Sequence, residues 1–165
     1  MGSMAFLESL IKIMRKTTKR KRWALINPIE HAISGASLVG RDSLDKLRLS
    51  ELAALDAMIR GKGTVTDWRT LVDVLNLTEM MARQGIGPEA LETCELAQNE
   101  LHKAALRYES TKKMGLSGIG IQSIRDLLEY ADLQQQSISR SEFEKMIQKT
   151  KDYIKSHNDK VVEIK

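Results

Sequence analysis

Cysteine is almost absent from the chain. Cys94 stands alone among 165 residues, so no disulfide can form within it and a reducing compartment is expected. Only two prolines occur, and aromatic residues make up 4%, which argues against a β-sandwich or barrel. No apolar run near the N-terminus approaches the ~20 residues that span a bilayer, and no small-residue cleavage site follows one. Neither a membrane span nor a secretory signal is expected, and the implied location is cytoplasmic. What is present is Leu, Ala, Glu, Lys, Arg, Gln and Met, which lose little entropy in a helix. Hydrophobic residues account for 42% and charged residues for 29%, a globular balance in a chain the length of one ordinary domain. The expected fold is all-α, a single bundle of five or six major helices with short connections.

Met1-Gly2-Ser3-Met4 reads as an expression remnant ahead of a natural start at Met4. Residues 5–16 suit a short amphipathic helix carrying Phe6, Leu7, Leu10, Ile11 and Met14. Asn27 before Pro28 fits a helix N-cap followed by proline at N1, opening a short helix that ends near Gly35. Ser43 is the expected cap of the next helix, with Leu44, Leu47, Leu52, Leu55 and Ile59 inward and Gly61 as its stop. Thr64 or Thr66 caps a third, with Trp68, Leu71, Val72, Leu75 and Met81 inward and Gly85 ending it. Pro88 opens a long helix to about Lys113, stopped by Gly115 and carrying Leu91, Cys94, Leu101, Ala105 and Tyr108. A helix over about 121–135 follows, and Ser139 or Ser141 caps the last, where Phe143, Met146, Ile147 and Ile154 share a face. The apolar stretch Val161 to Ile164 either packs back or frays.

Charge divides the chain into an N-terminal arm, residues 1–22, and a helical domain, residues 23–165. The arm holds seven cations against Glu8, a local excess of +6. The remainder carries −2, since the whole is +4. Lys19, Arg20, Lys21 and Arg22 are consecutive and followed by Trp23, a cluster suited to phosphate contacts with one stacking ring. Such contacts release condensed counterions and give salt-sensitive affinity without base preference. The plain alternative is a solubilising connector. The apolar stripe of residues 5–16 beside these cations also suits an anionic bilayer surface, or a symmetric contact between copies.

Nothing points to catalysis or to a cofactor. His31, His102 and His157 lack metal-ligand spacing, and Cys94 with His102 is too sparse to specify zinc. The acid pairs Glu92/Glu95 and Asp126/Glu129 have the spacing of a solvated helix face. Gly118-Ile119-Gly120 after Leu116 resembles the loop of a helix-hairpin-helix motif, whose backbone N–H groups hold a DNA phosphate. Gly85-Ile86-Gly87-Pro88 repeats the pattern thirty-three residues earlier. Helix caps need the same residues. Ser137 to Phe143 resembles the turn and reading-helix start of Fis-type helix-turn-helix proteins, which implies Arg140 at a phosphate or base edge. Asp132 and Leu133 replace the small residues usual in that family, and Glu142 and Glu144 would repel phosphate.

From Lys19 to Ile164 the chain resembles a family of small helical proteins of proteobacterial phages and prophages, sometimes labelled Fis-like regulators. Residues 22–28, residues 85–91 and Ser139-Arg140-Ser141-Glu142 carry the likeness. It implies a bacterial cytoplasm and a mobile-element context, with no catalytic residues to carry over. Two functions are therefore expected in competition. One is a non-enzymatic accessory or regulatory protein that binds nucleic acid through Lys19 to Arg22, with Arg140 as a further contact. The other is a helical module that binds and modulates a host or phage protein without nucleic acid.

Overall fold

The computed structural model describes residues 40–157 together with Ala36 and Ile164. The chain divides into two units, residues 1–33 and 34–165, and every described residue belongs to the second. The arm, the amphipathic stretch of residues 5–16 and the Asn27-Pro28 helix start lie outside the described residues. Among those described the fold is all-helical: α1 Arg41–Ile59, α2 Val65–Arg83, α3 Ala90–Thr111, α4 Gly118–Ser137 and α5 Arg140–Ser156. Gly63 and Met114 form an isolated antiparallel bridge between two of the loops. None of these helices is long and apolar enough to cross a membrane.

Local chemistry sets the boundaries. Thr64 caps α2 in a reciprocal box: its backbone N–H donates to Asp67, whose own N–H donates to the Thr64 hydroxyl. Ser139 and Glu142 repeat the device at α5. Helices α1 and α2 both stop at a left-handed glycine. At Gly61 the next N–H, that of Lys62, reaches the Ala57 carbonyl; at Gly85 the N–H of Ile86 reaches that of Met81.

Four expected boundaries differ. α1 begins two residues before Ser43, which lies in its first turn and donates its N–H to the Gly40 carbonyl. Pro88 belongs to the turn ahead of α3, whose N-cap is Glu89. At its other end α3 stops at Lys112, which takes the left-handed conformation itself at φ +55°, so Gly115 falls in the following loop. α4 starts at Gly118 and so contains both glycines of the Gly118-Ile119-Gly120 loop, with Ser117 as its cap.

α2 packs against all four other helices, and α3 and α4 against each other. The main core gathers Met58, Leu71, Leu101, Ile124 and Leu127, all at most 2% exposed. Ala97, Ala104 and Ala105 keep the inner face of α3 shallow, which permits close approach of its neighbours. A smaller cluster of Met81, Ile138 and Met146 joins the end of α2 to α5. Leu52 and Ile59, expected inward, are 42% and 38% exposed, and Leu91 is 39% exposed. α1 packs mainly against α2 and α4, so its buried arc is narrow: Glu51, Ala54, Leu55 and Met58 fill it, and Leu52 and Ile59, each next in sequence to one of these, lie about 100° further round the helix.

Candidate interaction groove

Of the residues singled out for nucleic acid, Lys19, Arg20, Lys21 and Arg22 lie outside the described residues. Arg140 is described. It is the first residue of α5, exposed, with its Nε donating to Glu144 Oε1 at 3.0 Å. Glu142, one turn into the same helix, accepts from the Ser139 N–H, and that bond holds its carboxyl below the usual range. Two carboxylates therefore stand at this corner, one of them bonded to Arg140. α5 also packs against α2.

The Gly118-Ile119-Gly120 loop is likewise filled from within. The Ser117 hydroxyl accepts from the Gly120 N–H at 3.0 Å and donates to Glu100 Oε2. A side-chain carboxylate thus stands at the positive end of α4, where a phosphate would have to sit. Lys103, with Nζ 2.7 Å from Oε1, and then Ser117 hold the Glu100 carboxyl below its usual range. At the earlier repeat, Gln134 closes the turn by donating Nε2–H to the Ile86 carbonyl at 2.7 Å, and its Cγ would lie 3.1 Å from a Cβ on Gly87. These features explain the glycines without a ligand.

A site that sequence reasoning did not find lies between α2, α3 and α5. It is a groove of about 810 Å³ floored by Trp68, Leu75 and Leu101. Trp68 is fixed there by its indole N–H, which donates to the Leu101 carbonyl at 2.9 Å. On the α5 side are Thr150, Tyr153 and Ile154, and Tyr153 stacks on His157 with ring centroids 4.2 Å apart. Arg69, Asp73, Glu79 and Arg83 supply the charge from α2, and Gln98, Asn99 and His102 come from α3. Glu79 and Arg83 are bonded to each other one turn apart. Burial raises the Asp73 carboxyl above its usual range, with Arg69 opposing.

Among the described residues two cations and two carboxylates line this groove alongside uncharged amides, giving no excess of positive charge to attract a polyanion, and an apolar floor with a mixed polar rim suits protein side chains. Its sequence signal was the alternation of Asn76, Glu79 and Arg83 with Leu75 and Met80 along α2. That signal reads as an exposed helix edge until α5 is known to dock beside it.

Among the described residues no group of three His, Cys, Asp or Glu is placed to hold a metal ion. Cys94 is buried, and burial followed by the nearby Glu79 pushes its thiol up to about 12. His102 is exposed on α3 while Cys94 is 2% exposed, so the two do not share a site.

In comparison with known proteins, no family model matches the chain, and neither does a curated protein or a solved structure.

Proposed function

We propose that the helical body is a protein-interaction module of a phage- or prophage-type accessory protein, with its partner seated in the groove between α2, α3 and α5. The observation that carries this reading is the groove itself, an apolar floor around Trp68 under a charge-balanced rim. The two corners suited to phosphate by sequence both hold carboxylates, which favours a protein partner over nucleic acid for the body. Affinity capture with the full chain from nuclease-treated bacterial lysate tests it. A stoichiometric complex is expected, reduced about tenfold or more by Tyr153→Ala combined with Asn76→Arg, changes at the centre of a contact surface. A complex that vanishes with nuclease overturns the reading.

A second reading is favoured by the +6 excess in residues 1–22. In it, Lys19 to Arg22 bind nucleic acid by charge alone and Arg140 contributes nothing further. Fluorescence anisotropy with duplex DNA at low and physiological salt is the test. Binding that is steeply salt-dependent and lost on neutralising Lys19 to Arg22 supports it; no binding at low salt removes it.

A further inference from the structure

α1 carries a row of apolar side chains that its neighbours leave open. Leu49 is 66% exposed, Leu52 42% and Ile59 38%, and their spacing places them along one side of the helix. Charge on this side is divided by end. Asp42 and Asp45 are exposed in the first two turns, whereas Arg60 is the C-cap and the exposed Lys62 follows it. Asp56, between them, is bonded to Arg60 at 2.9 Å, and Lys46 lies at the edge of the row, about 100° round from Asp45. Arg48 ties α1 to α4 by donating to the Leu128 carbonyl at 2.7 Å and pairing with Asp132, so the row is presented by a fixed helix.

We infer that this row is the contact surface of a symmetric dimer, with a second copy of the chain laid antiparallel along α1. Charge complementarity selects this occupant. A parallel copy would set Asp42 and Asp45 against their own counterparts, and like charges so placed repel. An antiparallel copy sets Asp45 of each chain against Arg60 of the other, twice over, as an isologous contact requires. The midpoint of Asp45 and Arg60 falls between Leu52 and Ala53, and that of Asp42 and Lys62 falls on Leu52. Both pairs thus agree on one two-fold axis at Leu52, which gives the contact an apolar centre and charged ends. A single helix pair is a small interface, so the dimer is reversible, with a dissociation constant on the order of micromolar or weaker. Among the described residues α1 lines no part of the groove between α2, α3 and α5, so this contact is independent of the partner proposed there.

The test is sedimentation equilibrium of the full chain from low micromolar to near-millimolar concentration, where a monomer–dimer equilibrium is expected. Asp45→Arg and Arg60→Asp each weaken it at least about tenfold, because each sets like charges across the contact. Mixed in equal amounts, these two variants regain the parental affinity as a heterodimer, since each supplies the charge that the other has lost. The chain carrying both substitutions self-associates like the parent. Native mass spectrometry with one variant isotopically labelled identifies the heterodimer. Leu52→Gln, at the axis, weakens association in the parent and in the mixture alike.

A chain that stays monomeric throughout overturns the proposal. So does self-association that both single variants leave unchanged, as a contact through residues 5–16 would give, or a mixture that associates no more tightly than its components. Circular dichroism checks that the variants are folded, which the exposure of Asp45 and Arg60 favours. If either loses its helical signal, Asp42→Lys and Lys62→Glu take their place with the same pattern expected. A mixture of those two that fails to dimerise counts equally against the contact.

Discussion

Ser117 joins two helices through one oxygen: it accepts the Gly120 N–H at 3.0 Å and donates its O–H to Glu100 Oε2 on α3. The start of α4 is thereby anchored to the side of α3 rather than left open to a ligand. A Cβ on Gly120 would sit 3.1 Å from Glu100 Oε2, whereas one on Gly118 meets nothing within 4 Å. Gly120→Ala is therefore expected to cost about 1–3 kcal/mol. Gly118→Ala should be neutral or gain about 0.5 kcal/mol. Urea denaturation of the two variants decides, and equal effects would show that the loop is not packed in this way.

Because the Glu100 carboxyl is held below its usual range, its contribution is present above the ordinary glutamate value and lost as pH falls through the folded value. Thermal melts across the acid range should show Glu100→Gln losing less stability than the parent as pH falls.

Glu51 behaves in the opposite sense. It is 2% exposed, and burial pushes its carboxyl from 4.5 up to about 7, opposed by Arg48 and reinforced by Asp132. The folded state then holds a proton that the unfolded chain has released. Stability should fall as pH rises from 4.5 to about 7 and stay lower above it. Glu51→Gln removes this dependence, and at about pH 8 it should be the more stable chain by roughly 1 kcal/mol or more. A parent with a flat profile over that window would refute the assignment.

Thr78 and Gln134 make a contrasting pair. Among the described residues Thr78 Oγ1 and Gln134 Oε1 are buried with no hydrogen-bond partner, while Gln134 Nε2 donates to the carbonyls of Ile86 and Thr78. Thr78→Val removes an unsatisfied group at constant shape and should be neutral or stabilising by up to about 1 kcal/mol. Gln134→Leu strands the Ile86 carbonyl and should cost about 1–3 kcal/mol. Chemical denaturation midpoints at constant slope give both values.

Cys94 supplies a simple probe of opening. With its thiol buried and raised to about 12, it should resist a disulfide reagent in the native chain and react fully in denaturant. Rapid native labelling would mean that α3 is not packed as described.

Much of this fold was legible in the chain because helix signals are local. Thr64 with Asp67, Ser139 with Glu142, and the glycines at 61 and 85 each act within one turn, so a reader of sequence sees cap and partner together. Ser43 misled because a serine in the first turn looks like a cap wherever the helix begins. Lys112 misled because nothing in a lysine announces a left-handed backbone. The groove was invisible for a different reason. Trp68, His102 and Tyr153 lie on three helices, and only the docking of α5 against α2 brings them to one site. Arg140 was legible as a cation but not as one already engaged by Glu144.

The central position of α2 has a kinetic corollary. α1 and α3 are its neighbours in sequence and reach it through short turns, so these contacts close small loops and can form early. α5 must return across the intervening α3 and α4 to find the same helix. Its docking closes a long loop and rests on a small cluster around the buried Met81, Ile138 and Met146. α5 should therefore be the last helix to fold and the first to exchange its amide hydrogens, opening and re-forming one wall of the groove while α1 to α4 stay closed.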